Sequence, residues 1–236
     1  MSNNYFQFKE FTINQQHCAM KVCTDACLFG AVAASDILDY NTILDIGSGT
    51  GLLSIMLAQK STAQIDTVEI DQAAYEQAKE NIEQSPWNKR IAIYNENISN
   101  FESQNKYDFI ISNPPFFEDN LKSDDGKKNA AKHDSTLTLK VLLENINRLL
   151  ISEGNFAVLI PFHRSQYFEA AAASLHFNLV HNISVKQTTT HPFFRSILFF
   201  SRKPGVEKKT VIAIKNEQGA YSEAFIALLK DYYLYL

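Results

Sequence analysis

The sequence predicts an α/β fold, a mostly parallel sheet with helices packed on both faces. Three observations carry this. Short apolar runs rich in β-branched and aromatic residues recur along the chain, as expected of strands buried on both faces. They are "TILDIG" (42–47), "IDTVEI" (65–70), "IAIY" (91–94), "YDFIIS" (Tyr107–Ser112) and "NFAVLIP" (155–161). Helix-periodic stretches at 52–59, 72–83, 137–150 and 166–175 separate or follow them. That alternation requires right-handed βαβ crossovers and therefore parallel neighbours. With 236 residues, 45% of them hydrophobic, the chain also suffices for one domain with a sizeable core.

Taken in order, an N-terminal extension (1–40) precedes the first strand, a core spans 41–203, and a strand and helix occupy 204–236; all three are read as one domain, 1–236. Thr24 or Asp25 is placed to cap a helix starting near Ala26. Towards the end, "LVHNISVKQ" and "RSILFFSRK" flank "TTTHPFF", which predicts an antiparallel pair at the sheet edge. "TVIAIK" reads as a further strand, and "SEAFIALLKDYYL" contains a short helix. The polar, charged segment 118–135 reads as a long loop, a kind of segment that is usually functional or disordered.

Composition narrows the function classes. The 22 basic residues against 26 acidic give a formal net charge of -4, so no overall basic footprint points to nucleic acid, although a local patch is compatible. No stretch approaches ~18 consecutive apolar residues, and the N-terminus lacks a basic n-region followed by an apolar h-region, so a cytoplasmic protein with neither membrane span nor signal peptide is expected. Cys18, Cys23 and Cys27 lie beside His17, but with no C-x-x-C pair and no second ligand cluster. They are read as reduced thiols, with no metal site expected.

Two motifs carry chemistry. "LDIGSGTGLLS" puts Gly47, Gly49 and Gly51 between the first parallel strand and a helix, where glycine allows a tight turn and close approach of a ligand to the backbone. The second strand ends at "VEID", with Glu69 positioned to accept two hydrogen bonds from a ribose diol. The G-x-G-x-G spacing departs from the dinucleotide fingerprint, Asp45 precedes it, and no P-loop pattern is present. The second motif, Asn113-Pro114-Pro115-Phe116, closes the fourth strand. In an open α/β sheet it should face the same crevice as the glycine loop. An exocyclic amine is a poor nucleophile because its lone pair is delocalised into the ring. The Asn113 side-chain oxygen and the Pro114 carbonyl provide two acceptors for its N–H bonds. Pro114 and Pro115 stiffen the corner, and Phe116 offers a face for stacking a base.

Asp45-Ile46-Gly47-Ser48-Gly49-Thr50-Gly51 resembles the cofactor loop of class I S-adenosylmethionine-dependent methyltransferases. The resemblance implies a Rossmann-like, mostly parallel seven-stranded sheet with an antiparallel edge. It also implies that Asp45 and the Gly47–Gly51 backbone line the methionine end of S-adenosyl-L-methionine, that Glu69 holds the ribose, and that Asn97 stands where the family often has an acid near the adenine amine. Asn113-Pro114-Pro115-Phe116 resembles the [D/N]-P-P-[Y/F/W] motif of methyltransferases acting on planar nitrogens. Finally, "FQFKEF", "MKVCTD", "LFGA", "ENIEQSPWNKRI" and "LLKDYYL" resemble the bacterial adenine-N6 methyltransferases that act on the purine next to the anticodon of a valine tRNA. Cys23 stands where that family usually has glycine. This implies a tRNA substrate, met at its anticodon stem-loop, with no obligate protein partner. It also implies that Lys21, Thr24 and Asp25 lie close to the methionine moiety, and that Lys132 and His133 belong to an A-[RK]-H element. Alternatives kept open are amino-group methylation of rRNA or DNA, protein glutamine methylation, and a non-catalytic binding module. The glutamine enzymes carry an N-terminal helical domain for which residues 1–40 leave no room.

Overall fold

The computed structural model describes residues 3–18, 21–37, 40–115 and 137–236. A small antiparallel hairpin comes first, β1 (Tyr5–Gln7) and β2 (Thr12–Asn14). Then follow α1 (Thr24–Asp36), β3 (Thr42–Ile46), α2 (Leu52–Lys60), β4 (Gln64–Glu69), α3 (Gln72–Gln84), β5 (Ile91–Asn95) and β6 (Tyr107–Ser112). After the undescribed stretch come α4 (Leu139–Leu149), β7 (Leu150–Pro161), α5 (Ser165–Ser174), β8 (Asn178–Thr188), β9 (Phe193–Ser201), β10 (Lys208–Lys215) and α6 (Glu223–Leu229).

The main sheet runs β10-β8-β9-β7-β6-β3-β4-β5. Every described pairing in it is parallel except the two made by β9. The expected class therefore holds, with two differences of detail. The sheet has eight strands, because "TVIAIK" adds to β8 as the outermost strand. The antiparallel strand, β9, lies inside the sheet between β7 and β8. Its sequence supports an interior position: Ser196 to Ser201 are all buried, whereas β10 exposes Val211.

Strand alternation sorts the core into two layers. Ile43, Ile65, Phe109, Ile111, Leu159 and Ile197 share one cluster with α1, α2 and α6. Leu44, Val68, Ile110, Phe156, Val158 and Leu198 share the other with α4 and α5. At Gly30 an added Cβ would come within 2.6 Å of Met56 Sδ, so this glycine lets α1 approach α2. The helix α1 starts at Thr24, with Cys23 as an N-cap that makes no side-chain cap bond, two residues earlier than the sequence suggests. Asp25 instead supplies a negative charge in the first turn, which complements the helix dipole.

The aromatic residues of the N-terminal extension are structural. Phe8 and Phe11 are buried and stacked at 4.4 Å, and Phe6 and Phe8 pack on Tyr233 near the C-terminus. Lys9 Nζ donates to the Lys230 carbonyl, and Phe8 bridges Tyr233. The two chain ends thus pack on each other, the C-terminal one reaching α2 through Tyr232 and the hairpin reaching α3 through Asn14.

Candidate active site

The site is built where the parallel strands end. Register aligns Ile46 of β3 with Ser112 of β6 and with Val68 of β4, and Glu69 with Asn95 of β5. One residue beyond Ile46, Ser112 and Val68 stand Gly47, Asn113 and Glu69, so three residues singled out from sequence lie at one level on adjacent strands. Strands are ~4.8 Å apart, so Asn113 and Glu69 bracket the glycine loop at a span of about 10 Å.

Gly47, Gly49 and Gly51 have φ of 76°, 55° and 79°, in the left-handed region that side chains disfavour. A Cβ on Gly47 or Gly49 would meet nothing within 4 Å, so the loop presents bare backbone to open space. Gly51 is the N-cap of α2. Beneath the loop, Asp45 is fully buried. Its Oδ2 accepts from Ser54 Oγ at 2.7 Å, while Oδ1 is buried with no partner among the described residues. Burial pushes its pKa up to about 7, further raised by Glu69 and opposed by the Ser54 hydrogen bond. Ser48 Oγ, in the loop itself, is likewise buried without a partner among the described residues.

Glu69 is oriented by backbone donors: Oε2 accepts from Gly49 N–H at 2.8 Å and Oε1 from Asp71 N–H at 3.0 Å. Each oxygen keeps a free lone pair for a ligand hydroxyl. Asn95 Nδ2 donates to the Glu69 carbonyl at 2.9 Å and steadies the end of β4. The next residue, Ile70, leaves 48% of its surface exposed, an apolar shelf beside the carboxylate.

At the β6 terminus, Ser112 Oγ donates to the Ile46 carbonyl at 2.8 Å, tying this strand end to the glycine-loop strand. Asn113 Oδ1 is buried and has no partner among the described residues, and Pro114 is buried behind it. A buried carbonyl oxygen left unpaired costs about 1–3 kcal/mol. Six buried side-chain atoms lack partners among the described residues, and three of them, on Asp45, Ser48 and Asn113, belong to this one crevice.

The other expected residues in the described part have these neighbours. Asn97 Oδ1 accepts from Ser99 N–H at 2.9 Å and closes a turn after β5. Lys21 Nζ is exposed and reaches the Asn3 carbonyl at 3.4 Å, and Thr24 opens α1. Asp25 Oδ2 pairs with Arg195 Nε on β9 at 2.8 Å. Among the described residues, no hydrogen bond joins Lys21, Thr24 or Asp25 to the glycine loop. The extension does reach that loop through Cys18, whose Sγ lies 3.8 Å from the Gly49 carbonyl. Cys18, Cys23 and Cys27 are free thiols. Phe116, Lys132 and His133 lie outside the described residues. Sequence reasoning missed Ser48, Ser54, Asn95, Ile70 and Arg195. Only Ser48 carried a signal, its place inside the glycine loop.

A family model described as "Methyltransferase small domain" matches residues 27–166, which include β3, β4 and the Asn113 corner. A protein of Dyadobacter fermentans is 43% identical over 98% of each chain, and one of Parabacteroides distasonis is 41% identical over 99% of each. Both are named tRNA1(Val) (adenine(37)-N6)-methyltransferase. This chain belongs to their family. Solved structures with the same fold include the ribosomal protein L11 methylase of Lactobacillus delbrueckii subsp. bulgaricus (TM-score 0.58, 17% identity, covering 81% of this chain and 84% of that one). Another is the magnesium protoporphyrin IX methyltransferase of Synechocystis PCC 6803 with bound SAM (TM-score 0.52, 15% identity, covering 76% and 78%). No helix of the described residues is long and apolar enough to cross a membrane.

Proposed function

We propose that this protein uses S-adenosyl-L-methionine to methylate the N6 amine of an adenine in tRNA, at the position 3′ of the anticodon of a valine tRNA, in the cytoplasm. The observation that carries the chemistry is Asn113 Oδ1, a buried acceptor without a partner among the described residues, beside the glycine loop. The names of the full-length relatives supply the acceptor class.

The residues present fit the cofactor. A buried carboxylate with one oxygen unpaired among the described residues (Asp45), a loop of bare glycine backbone, and an oriented carboxylate (Glu69) match a ligand carrying an ammonium group and a ribose diol. When bound, S-adenosylmethionine supplies an electrophilic methyl on a sulfonium centre. Asp45 and Ser48 would hold its amino-acid end, and Glu69 its ribose, with Ile70 offering apolar surface alongside.

The protein's part in catalysis is to make the adenine amine a better nucleophile and hold it still. Asn113 Oδ1 and the Pro114 carbonyl accept the two N6–H bonds, which favours the pyramidal amine whose lone pair is available for attack. The fixed φ of Pro114 and Pro115 holds these acceptors in place without reorganisation. Phe116 stacks the flipped base. An anticodon-loop nucleotide is already unpaired, so extruding it costs little. After transfer the extra N6 proton passes to solvent, so no general base is required.

Incubation with labelled cofactor and unmodified bulk tRNA, followed by nucleoside analysis, tests this. N6-methyladenosine in the digest is expected. Label on guanosine or on protein, with none on adenosine, would overturn the choice of acceptor.

A further inference from the structure

Beyond the crevice, the carboxyl end of the sheet carries aromatic and cationic side chains that the methyl-transfer chemistry does not use. β7 continues three residues past Val158, the partner of Ser112, to Pro161, a rise of about 10 Å beyond the level of Ser112 and about 7 Å beyond that of Asn113. There the chain turns through Phe162–Arg164 into α5, beside the start of β9, where Arg195 pairs with Pro161. Phe162 is 40% exposed and packs on Phe193 at 4.9 Å between ring centroids. Lys186 of β8 sets its Nζ 4.8 Å over the Phe193 ring. One turn along, Tyr167 is 53% exposed with the Arg164 guanidinium 4.8 Å over its ring.

We propose that Phe162, Phe193 and Tyr167, with Lys186 and Arg164, form the track that holds the unpaired nucleotides flanking the target adenine. The proposal rests on the tRNA reading above. The chemistry matches that occupant. Every base has a π-face that stacks on an aromatic ring regardless of sequence, and the cations beside the rings meet the phosphates between those bases. Placement matches as well, since the patch lies at the same end of the sheet as Asn113, one to three strands to its side. A structural role for the rings is weaker, because Phe162 and Tyr167 expose large surfaces although buried apolar positions are available on the same elements, at Phe168 and Pro161. Among the described residues, two acids near the patch are engaged elsewhere, Asp25 by Arg195 and Glu217 by Thr189 Oγ1, and Glu169 of α5 is exposed.

The test uses the full chain and a fluorescent anticodon stem-loop RNA, with a second RNA that is abasic at the nucleotides flanking the adenine. For Phe162→Ala/Phe193→Ala, the tRNA KM should rise about tenfold or more, from the loss of ~1–3 kcal/mol of stacking per base. Cofactor affinity by calorimetry should stay within twofold, and kcat at saturating tRNA should fall by less than threefold. Phe193→Tyr, which keeps the ring, should retain wild-type KM. Lys186→Ala should lower the salt slope of RNA binding by about one. The abasic RNA should bind wild type as weakly as the intact RNA binds the double variant, with no further loss when both changes are combined. Unchanged KM in the double variant, or an abasic penalty equal in wild type and variant, would overturn the track. Wild-type protein that leaves tRNA adenine unmethylated would instead overturn the reading beneath it.

Discussion

Two polar regions of this molecule lie a few residues apart and behave oppositely. Where α3 meets the N-terminal extension, every side-chain polar atom of the buried amides Gln77 and Asn81 has a partner. Asn81 Oδ1 accepts from Asn14 N–H, and its Nδ2 donates to the carbonyls of Asn14 and Thr50, all within 2.9 Å. Gln77 Oε1 accepts from Gln16 and His17 N–H, and its Nε2 donates to Glu80. At the strand ends, Asp45, Ser48 and Asn113 each keep a buried atom unpaired among the described residues. Folding alone favours the first pattern, since an unmade buried hydrogen bond is costly. The second persists where a ligand completes the pairing. The comparison therefore separates side chains that hold the glycine loop from those that act through it.

The largest effect expected is on turnover. Asn113→Ala should lower kcat about 100-fold or more, in the range seen when one preorganised hydrogen-bonding group is removed from an active site. Thermal stability should hold or rise slightly, because an unsatisfied buried atom is removed. Cofactor affinity should change little. A large fall in melting temperature would place Asn113 with Asn81, as a structural amide.

Asn81→Ala should do the reverse. Three hydrogen bonds are lost and the part-buried Asn14 and buried Thr50 groups lose their Asn81 partner, a cost of about 2–3 kcal/mol. That corresponds to a melting temperature lower by several degrees, about 2–4 °C per kcal/mol at this chain length. At a temperature where the variant is folded, kcat should stay within a few-fold of wild type. A 100-fold loss of turnover in a folded variant would break the distinction.

Asp45→Asn tests the buried carboxylate. Loss of a charge-assisted bond to a ligand ammonium, worth about 1.5–3 kcal/mol, should weaken cofactor binding roughly 10- to 100-fold. The pH dependence has a definite sign. Burial raises the folded-state pKa to about 7 from 3.8, so this group favours the ligand-free fold below pH 3.8 and loses that contribution as pH rises through about 7. A cationic ligand requires the ionised form. Wild-type affinity should therefore climb from pH 6 to 8, with proton release seen as a buffer-dependent calorimetric heat. The variant should show neither, and its melting temperature should gain on wild type over the same pH interval.

Why some of this could be read in advance and some could not follows from what each feature depends on. The strands of the parallel core and the helices between them follow from apolar periodicity, and most boundaries were met within a residue or two. β7 starts five residues earlier than expected because the exposed polar pair Ser152-Glu153 and Gly154 interrupt the apolar run, although the chain there is still extended. The interior position of β9 depends on which strands neighbour which, and a period of two carries no such information. At the site, Asp45, the glycines, Glu69 and Asn113 stood out because their residue types are unusual at strand ends. Ser54 and Asn81 did not, because a serine or asparagine within a helix looks ordinary until its partner across the fold is known. Asn97 Oδ1 also accepts locally, from the Ser99 N–H two residues on, a bond that residue type alone does not announce and that leaves a second lone pair on the oxygen.

Ser54 gives the finest test of the comparison, because it belongs to both patterns. Its hydroxyl is paired, but to the carboxylate that is otherwise left open. Donating to Asp45 favours the ionised form and so opposes the rise in pKa caused by burial. Ser54→Ala should push that pKa higher still, leaving less carboxylate ionised at pH 7. Cofactor affinity there should fall about threefold, within the ~0.5–1.5 kcal/mol net worth of one hydrogen bond. Most of that loss should vanish at pH 9, where Asp45 ionises in either protein. Equal losses at pH 7 and pH 9 would mean that Ser54 acts by packing or by touching the ligand, and not through the charge on Asp45.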